Sequence, residues 1–185
     1  MAKVLGFDVS STCIGWGLLL VEDDKVSYIN SGYFKPPKTG DLIDRIYKTR
    51  EKILDIMSAC NPDEIAIEDI VQFMKGKSTA QTIIMLTTFN RMICLLARDF
   101  LGKSPTLHNV MTIRHGLKIN KNLPKKEDMP DLVAQHLGIT FPYELNKKGA
   151  KKIENYDEAD GIAVSLYKSF ILSGKIKKKA SKVKK

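Results

Sequence analysis

The hydrophobic pattern of the first seventy residues leaves few folds open. Three short runs of β character come first, at residues 4–7, 14–21 and 25–34, the last carrying Val26, Tyr28, Ser31 and Tyr33. Ser10-Ser11-Thr12 and Glu22-Asp23-Asp24 separate them as turns, so an antiparallel meander is predicted. Pro36-Pro37 and Gly40 then break the chain. Residues 41–59 place apolar side chains at 42, 43, 46, 53, 54, 56 and 57, the spacing of an amphipathic helix. Residues 64–70 alternate and read as a strand, residues 79–101 as a long, buried helix, and residues 106–110 as a fifth strand. One or two short helices around a lysine-rich loop are predicted for residues 111–137, a loop for 141–155 and a last helix for 156–173. Three meander strands followed by alternating helix and strand predict an α/β chain: a five-stranded mixed sheet, its three antiparallel strands first, flanked by helices. At 185 residues this amounts to one domain, assigned to residues 1–173, followed by a basic tail over 174–185.

Several classes fall away at this stage. The longest clean apolar run, residues 14–21, is well short of the roughly 20 residues that cross a bilayer, so neither a span nor a membrane partner is expected. An acid at position 8 interrupts what a cleaved secretory signal would keep apolar. Cys13, Cys60 and Cys94 are odd in number and widely spaced, which fits neither a disulfide framework nor a zinc site. A reducing, cytoplasmic setting is the expectation. Seven lysines lie in residues 175–185, which hold no acid, so the rest of the chain carries only +2 of the net +9. Such a tail suits a polyanion, and it equally suits a solvated end.

Four acids stand where packing alone would not place them. Asp8 closes the first apolar run and Glu68 ends Ile65-Ala66-Ile67. Asp157 and Asp160 lie three apart at the start of the last helix and so share one face. Each has a plain structural role open to it: Asp8 in a turn with Ser10 or Ser11, Glu68 as a solvated strand end, Asp157 and Asp160 at the positive end of a helix dipole. A single sheet, however, brings their three loci together. Crowded carboxylates raise one another's pKa, and a divalent cation reverses that sign. Oxygen donors without Cys or His favour Mg²⁺ or Mn²⁺ over zinc. Two such ions can clamp the attacking water and the leaving oxygen of a phosphodiester.

Leu5-Gly6-Phe7-Asp8-Val9-Ser10-Ser11-Thr12 with Gly15-Trp16-Gly17 resembles the opening of RuvC-type Holliday junction resolvases, which belong to the RNase H-like superfamily. Ser31-Gly32-Tyr33 resembles that family's third strand, and residues 62–68 (PDEIAIE) its second acidic strand. Residues 156–163 (YDEADGIA) resemble its closing acid-x-x-acid helix. The resemblance runs in order to about residue 172. It implies an RNase H-like fold and a homodimeric, Mg²⁺-dependent endonuclease making paired nicks in four-way DNA junctions and leaving 5′-phosphates. Asp8, Glu68, Asp157 and Asp160 would be its catalytic residues and metal ligands, holding two Mg²⁺ ions per site, with Mn²⁺ able to substitute. The apolar richness of residues 79–101 fits a dimer, and it also fits a central core helix.

The family places a junction-probing aromatic in the loop after the second acidic strand, where Phe73 stands here; it would stack on an exposed base, or else pack on the next helix. Lys75, Lys77, Lys118, Lys125 and Lys126 are candidates for phosphate contacts. Lys147-Lys148, Lys151-Lys152 and the lysine tail lie outside the family's motifs, so branched DNA beyond strict four-way junctions enters the expected substrate range. Two other readings stay open: an RNase H-like nuclease acting on RNA–DNA hybrid or structured RNA, and a non-catalytic junction-binding protein. An actin-like ATPase, which opens similarly, would need a second glycine-rich phosphate loop that the chain lacks.

Overall fold

The structure, a computed structural model, describes residues 1–70 and 79–176. Strands β1 (Ala2–Val9), β2 (Ile14–Glu22) and β3 (Lys25–Phe34) form the meander. After helix α1 (Leu42–Cys60), β4 (Glu64–Glu68) pairs parallel to β1 on the side away from β2. Helix α2 (Ala80–Leu101) leads to β5 (Thr106–His108), parallel to β4. The sheet order is β3-β2-β1-β4-β5. Helices α3 (Val110–Leu117), α4 (Met129–Leu137) and α5 (Glu154–Leu172) complete the chain. The five-stranded mixed sheet with helices on its faces is thus the predicted one. Strands β4 and β5 each end two residues early, and α5 begins two residues early.

Period-two alternation explains how two cores form on one sheet. In β1, Leu5, Phe7 and Val9 face α1 and α2, joining Ile53, Met57, Ile65, Ile67, Phe89 and Ile93. The opposite face of the sheet meets α3, α4 and α5, with Leu19, Ala66, Ile113, Leu117, Val133 and Ile162 among the buried residues. Helix α5 is covered over almost its whole length. Its contact with β1 and β2 depends on missing side chains. A Cβ on Gly161 would come within 2.5 Å of the Gly15 carbonyl carbon, and one on Gly17 within 2.6 Å of Ile162 Cα. Glycine inside a strand marks this kind of close backbone approach.

Helix α2 corrects one expectation. It is not wholly buried: Phe89, Ile93, Leu96 and Ala97 enter the core, while Ile84 and Leu95 are 60% and 63% exposed. An 18-residue window within its 22 residues reaches a mean hydropathy of 1.3, enough to cross a membrane by length and composition alone, a test that core helices of soluble proteins also pass. Counting uninterrupted apolar runs misses this, because Thr87, Thr88, Asn90 and Arg91 interrupt the run while the window mean stays at 1.3.

Candidate active site

Alternation puts Asp8 on the α5 side of the sheet, with Val4 and Gly6, and puts Glu68 there with Glu64 and Ala66. The parallel register pairs Phe7 with Ile67, so Asp8 and Glu68 are the next residues on adjacent strands. Asp8 is also opposite Gly15 on β2. A Cβ on Gly15 would collide with the carbonyl oxygen of Asp157. The glycine therefore lets the first turns of α5 lie over the ends of β1 and β2. Asp160, one helical turn on, is buried. Glu158, between them, faces the other way: Ser31 Oγ donates to its Oε1 at 2.5 Å, fixing α5 to β3.

Two cations enter this acidic corner. Lys126 Nζ donates to Asp157 Oδ1 at 2.6 Å and stands 3.7 Å from Asp160 Oδ2. Arg114, on α3, acts electrostatically on both Glu68 and Asp160. Its Nε is buried with no hydrogen-bond partner among the described residues. Burial, then the charges of Glu68, Asp160 and Asp157, holds the Asp8 carboxyl well above the usual carboxylate range, against the pull of Lys126. Burial and Asp160 push Glu68 up to about 7, with Arg114 and Lys126 opposing. Burial also raises Asp160 to about 6, although Lys126 and Arg114 oppose it. The Lys126 ammonium is held above its usual range: burial opposes this, but Asp157, Asp160 and Asp8 outweigh it. Burial and Asp157 push the Cys13 thiol up as well, which makes it a poor nucleophile.

These shifts predict a pH dependence. Folded Glu68 and Asp160 keep protons that the unfolded chain releases near pH 4. The stability they contribute is present below that pH and is lost as pH rises through about 6 to 7. In EDTA, the melting temperature of Glu68→Gln should therefore fall less than that of wild type between pH 5 and pH 8. A divalent cation such as Mg²⁺, if these carboxylates hold it, should raise the wild-type melting temperature far more at pH 8, where their ionised forms are favoured, than at pH 5. Thermal unfolding checks both, and equal shifts at the two pH values would contradict the electrostatic picture.

The structure thus turns Asp8, Glu68, Asp157 and Asp160 toward one corner. It does not draw them tight: among the described residues, no three His, Cys, Asp or Glu side chains close into a ligand shell. The donor set, carboxylate oxygens that resist ionisation when crowded, fits a hard divalent cation. Of the other candidates, Lys118 and Lys125 are exposed and make no ion pair with the acids among the described residues. Phe73, Lys75 and Lys77 lie outside the described residues. Arg114 was missed in the sequence. Its signal was positional, the fifth residue of a helix that opens directly after the strand beside Glu68.

A mixed five-stranded sheet with a parallel β4 beside β1 and helices on both faces defines an α/β domain of the RNase H-like fold. The chain belongs to the RuvC family of crossover junction endodeoxyribonucleases, whose family description matches residues 4–104. It is 33% identical over 149 residues to the RuvC of Nitratidesulfovibrio vulgaris (strain Hildenborough), covering 77% of this chain and 82% of that protein. The match to the Erythrobacter litoralis RuvC, 30% identical over 79 residues, spans 43% of this chain and 48% of that protein. Among solved structures, T. thermophilus RuvC in complex with a Holliday junction substrate superposes with a TM-score of 0.68 at 18% identity, covering 92% of this chain and 94% of that one. The yeast mitochondrial Holliday junction resolvase Ydc2 gives 0.64 at 16% identity, covering 90% and 77%.

Proposed function

We propose that this chain is a divalent-metal-dependent Holliday junction resolvase that hydrolyses phosphodiesters at four-way or branched DNA junctions, as paired nicks leaving 5′-phosphates. The observation that supports it most is the shared corner of Asp8, Glu68, Asp157 and Asp160, in which the carboxyl pKa values of Asp8, Glu68 and Asp160 are raised by burial and by neighbouring acids. These four would hold the metal, two Mg²⁺ ions per site, with Mn²⁺ as a substitute. Bound ions supply Lewis-acid charge that acidifies water and stabilises the departing 3′ oxygen. Charge balance favours this reading: four ionised carboxylates against Lys126 and Arg114 leave two negative charges uncompensated, the charge of one divalent ion. The incoming phosphodiester partly offsets a second ion.

The chain's own side chains do the rest. Asp8 and Glu68 are fixed by paired strands, and Asp157 and Asp160 by a helix packed on glycines, so the donors are preorganised. Lys126 holds its proton at Nζ and neutralises Asp157 and Asp160 until a phosphate oxygen takes the ammonium in their place. Arg114, whose charge acts on Glu68 and Asp160, would also neutralise phosphate charge. Phe73, Lys75, Lys77, Lys118 and Lys125 are proposed as DNA contacts around this centre. DNA as substrate places the enzyme in the cell interior.

A homodimer belongs to this proposal. The outer face of α2 exposes Ile84 and Leu95 and the neighbouring β5 edge exposes Leu107; Leu95 and Leu107 border a cavity of about 350 Å³ that Arg91, Cys94, Arg98 and Pro105 also line. An apolar face left uncovered among the described residues suits an isologous contact, and a twofold dimer matches the symmetry of equivalent junction strands. Ile84→Glu with Leu95→Glu should convert a dimer to a monomer in sedimentation equilibrium without lowering the melting temperature of the monomer. A wild-type chain that sediments as a monomer at micromolar concentration would remove the dimer.

The activity is tested by incubating the protein with labelled four-way junction, flap, duplex and RNA–DNA hybrid, in Mg²⁺ and in EDTA. Symmetric, Mg²⁺-dependent nicking of the junction is expected. Cleavage confined to the RNA–DNA hybrid would transfer the same acids to a ribonuclease.

A further inference from the structure

The lysine-rich segment between α4 and α5 is not absorbed by the acidic corner, yet it is built with care. Leu145 and Lys151 pair as an antiparallel bridge, closing a hairpin. Across it, Asn146 N–H donates to the Ala150 carbonyl at 2.8 Å and Gly149 N–H to the Asn146 carbonyl at 2.9 Å. Asn146 Oδ1 accepts from the N–H groups of Lys148 at 2.9 Å and Ala150 at 3.1 Å. Gly149 takes the left-handed conformation that the turn requires, with φ +77°.

The hairpin is bolted to the catalytic helix. Fully buried Asn155 accepts from Glu144 N–H at 2.9 Å and donates to the carbonyls of Glu144 and Lys152 at 2.9 and 2.8 Å. Asp157 follows two residues later. A second tie runs to β3, where Tyr33 Oη donates to Glu144 Oε2 at 2.8 Å.

Its four lysines divide into two kinds. Lys152 pairs with Glu144 at 2.6 Å, and Lys151 Nζ sits 3.5 Å over the Tyr143 ring. Both brace the hairpin. Lys147 and Lys148, at the exposed tip, make no ion pair among the described residues. Two adjacent cations on a rigid turn repel each other and contribute nothing to the fold, so the charge is directed outward. From the hairpin the chain passes straight into a cleft of about 450 Å³ lined by Ile153, Glu154, Lys35, Lys38, Lys126 and Asp157. Lys35 is paired with Glu154 and Lys126 with Asp157. Lys38 has no ion pair among the described residues.

We propose that the hairpin of residues 144–151 is a second DNA contact outside the nicking centre, with Lys147 and Lys148 binding backbone phosphates of a duplex arm whose path leaves the acidic corner along the Lys38 cleft. This rests on the nuclease reading above. Double-stranded DNA is favoured as the occupant because Asn155 holds the tip at a fixed position relative to Asp157. A phosphate bound at the tip therefore sets where along the arm the acids act. The turn is already formed, so little ordering entropy opposes binding.

The test compares wild type with the Lys147→Ala/Lys148→Ala double variant on a four-way junction in EDTA. Affinity is measured from low to moderate salt, and ethylation interference maps the phosphates contacted. Losing two phosphate contacts should flatten the slope of log affinity against log salt by about 1.8, since each contact contributes about 0.9. Interference should disappear at a short run of phosphates on one arm, away from the nicked position. Lys147→Arg/Lys148→Arg should keep the wild-type slope and pattern. An unchanged slope with an unchanged interference pattern in the alanine variant overturns the proposal, as does an arginine variant that behaves like alanine. These outcomes are separate from failure of the nuclease reading, which shows as wild-type protein that does not nick the junction in Mg²⁺.

Discussion

Asp8→Asn is expected to lose at least about a thousandfold in single-turnover nicking of a four-way junction, roughly 4 kcal/mol of transition-state stabilisation, while melting higher than wild type in EDTA at pH 8. The two effects have one cause. Asp8 ends a central strand with Glu68 beside it and α5 over it. Burial and the charges of Glu68, Asp160 and Asp157 raise its carboxyl pKa well above the usual range and so disfavour its ionised form. Forcing it to ionise stores repulsion that metal binding would release. Asparagine is nearly isosteric and uncharged, so it removes the repulsion together with the ligand. Asp157→Asn should lose activity comparably without the gain in stability. Asp157 is the acid that Lys126 directly neutralises, at 2.6 Å, and its replacement leaves the half-buried ammonium with only the longer pair to Asp160, at 3.7 Å. Nicking assays and unfolding curves in EDTA read both effects. Normal cutting by Asp8→Asn would remove the acidic corner from the mechanism, and an equal stability gain in both variants would show that Lys126 does not partner Asp157.

Much of this corner is legible in the sequence through strand alternation. Leu5, Phe7 and Val9 alternate with Val4, Gly6 and Asp8, so an acid at the end of β1 points toward whatever covers the glycine side. The same parity places Glu68 with Ala66. The acid-x-x-acid spacing of Asp157 and Asp160 gives their shared helical face directly. The cations were not legible in the same way. Arg114 sits in an eight-residue helix and Lys126 opens a three-residue 3₁₀ turn, elements too short to show periodicity. Nothing local separates Lys126 from Lys118, Lys121 or Lys125, and the contact that distinguishes it spans 31 residues to Asp157. Helix α2 was misread for a related reason. Its composition is apolar on both faces, and only the tertiary arrangement decides that Phe89 and Ile93 are inside while Ile84 and Leu95 are not. The hairpin at 144–151 escaped because its strands contribute a single bridge, and its order comes from the side chains of Asn146 and Asn155.

The glycines carry the remaining part of the argument, and they give the other large effect expected. Gly15→Ala adds one methyl group. That Cβ would collide with the Asp157 carbonyl oxygen and lie within 2.8 Å of Glu158 N. Both obstacles are helix backbone, which cannot rotate aside as a side chain can. Overpacking against side chains costs about 1–3 kcal/mol, so a collision with backbone should cost about 3 kcal/mol or more. For a chain of this size that lowers the melting temperature by roughly 6–12 °C. Any relief requires α5 to lift away from β1 and β2, carrying Asp157 and Asp160 away from Asp8. A shift of about 1 Å in such a constellation costs about a hundredfold in rate. Nicking by Gly15→Ala should therefore fall at temperatures where the variant is still fully folded, and raising Mg²⁺ should restore only part of it. Gly102→Asn is the control: its site has nothing within 4 Å and a φ of +68°, a left-handed conformation that asparagine tolerates. It should cost under about 1 kcal/mol and leave nicking at the wild-type rate. If Gly15→Ala melts and cuts like Gly102→Asn, α5 does not rest on the glycines of β2, and the positions of Asp157 and Asp160 over Asp8 would need another cause.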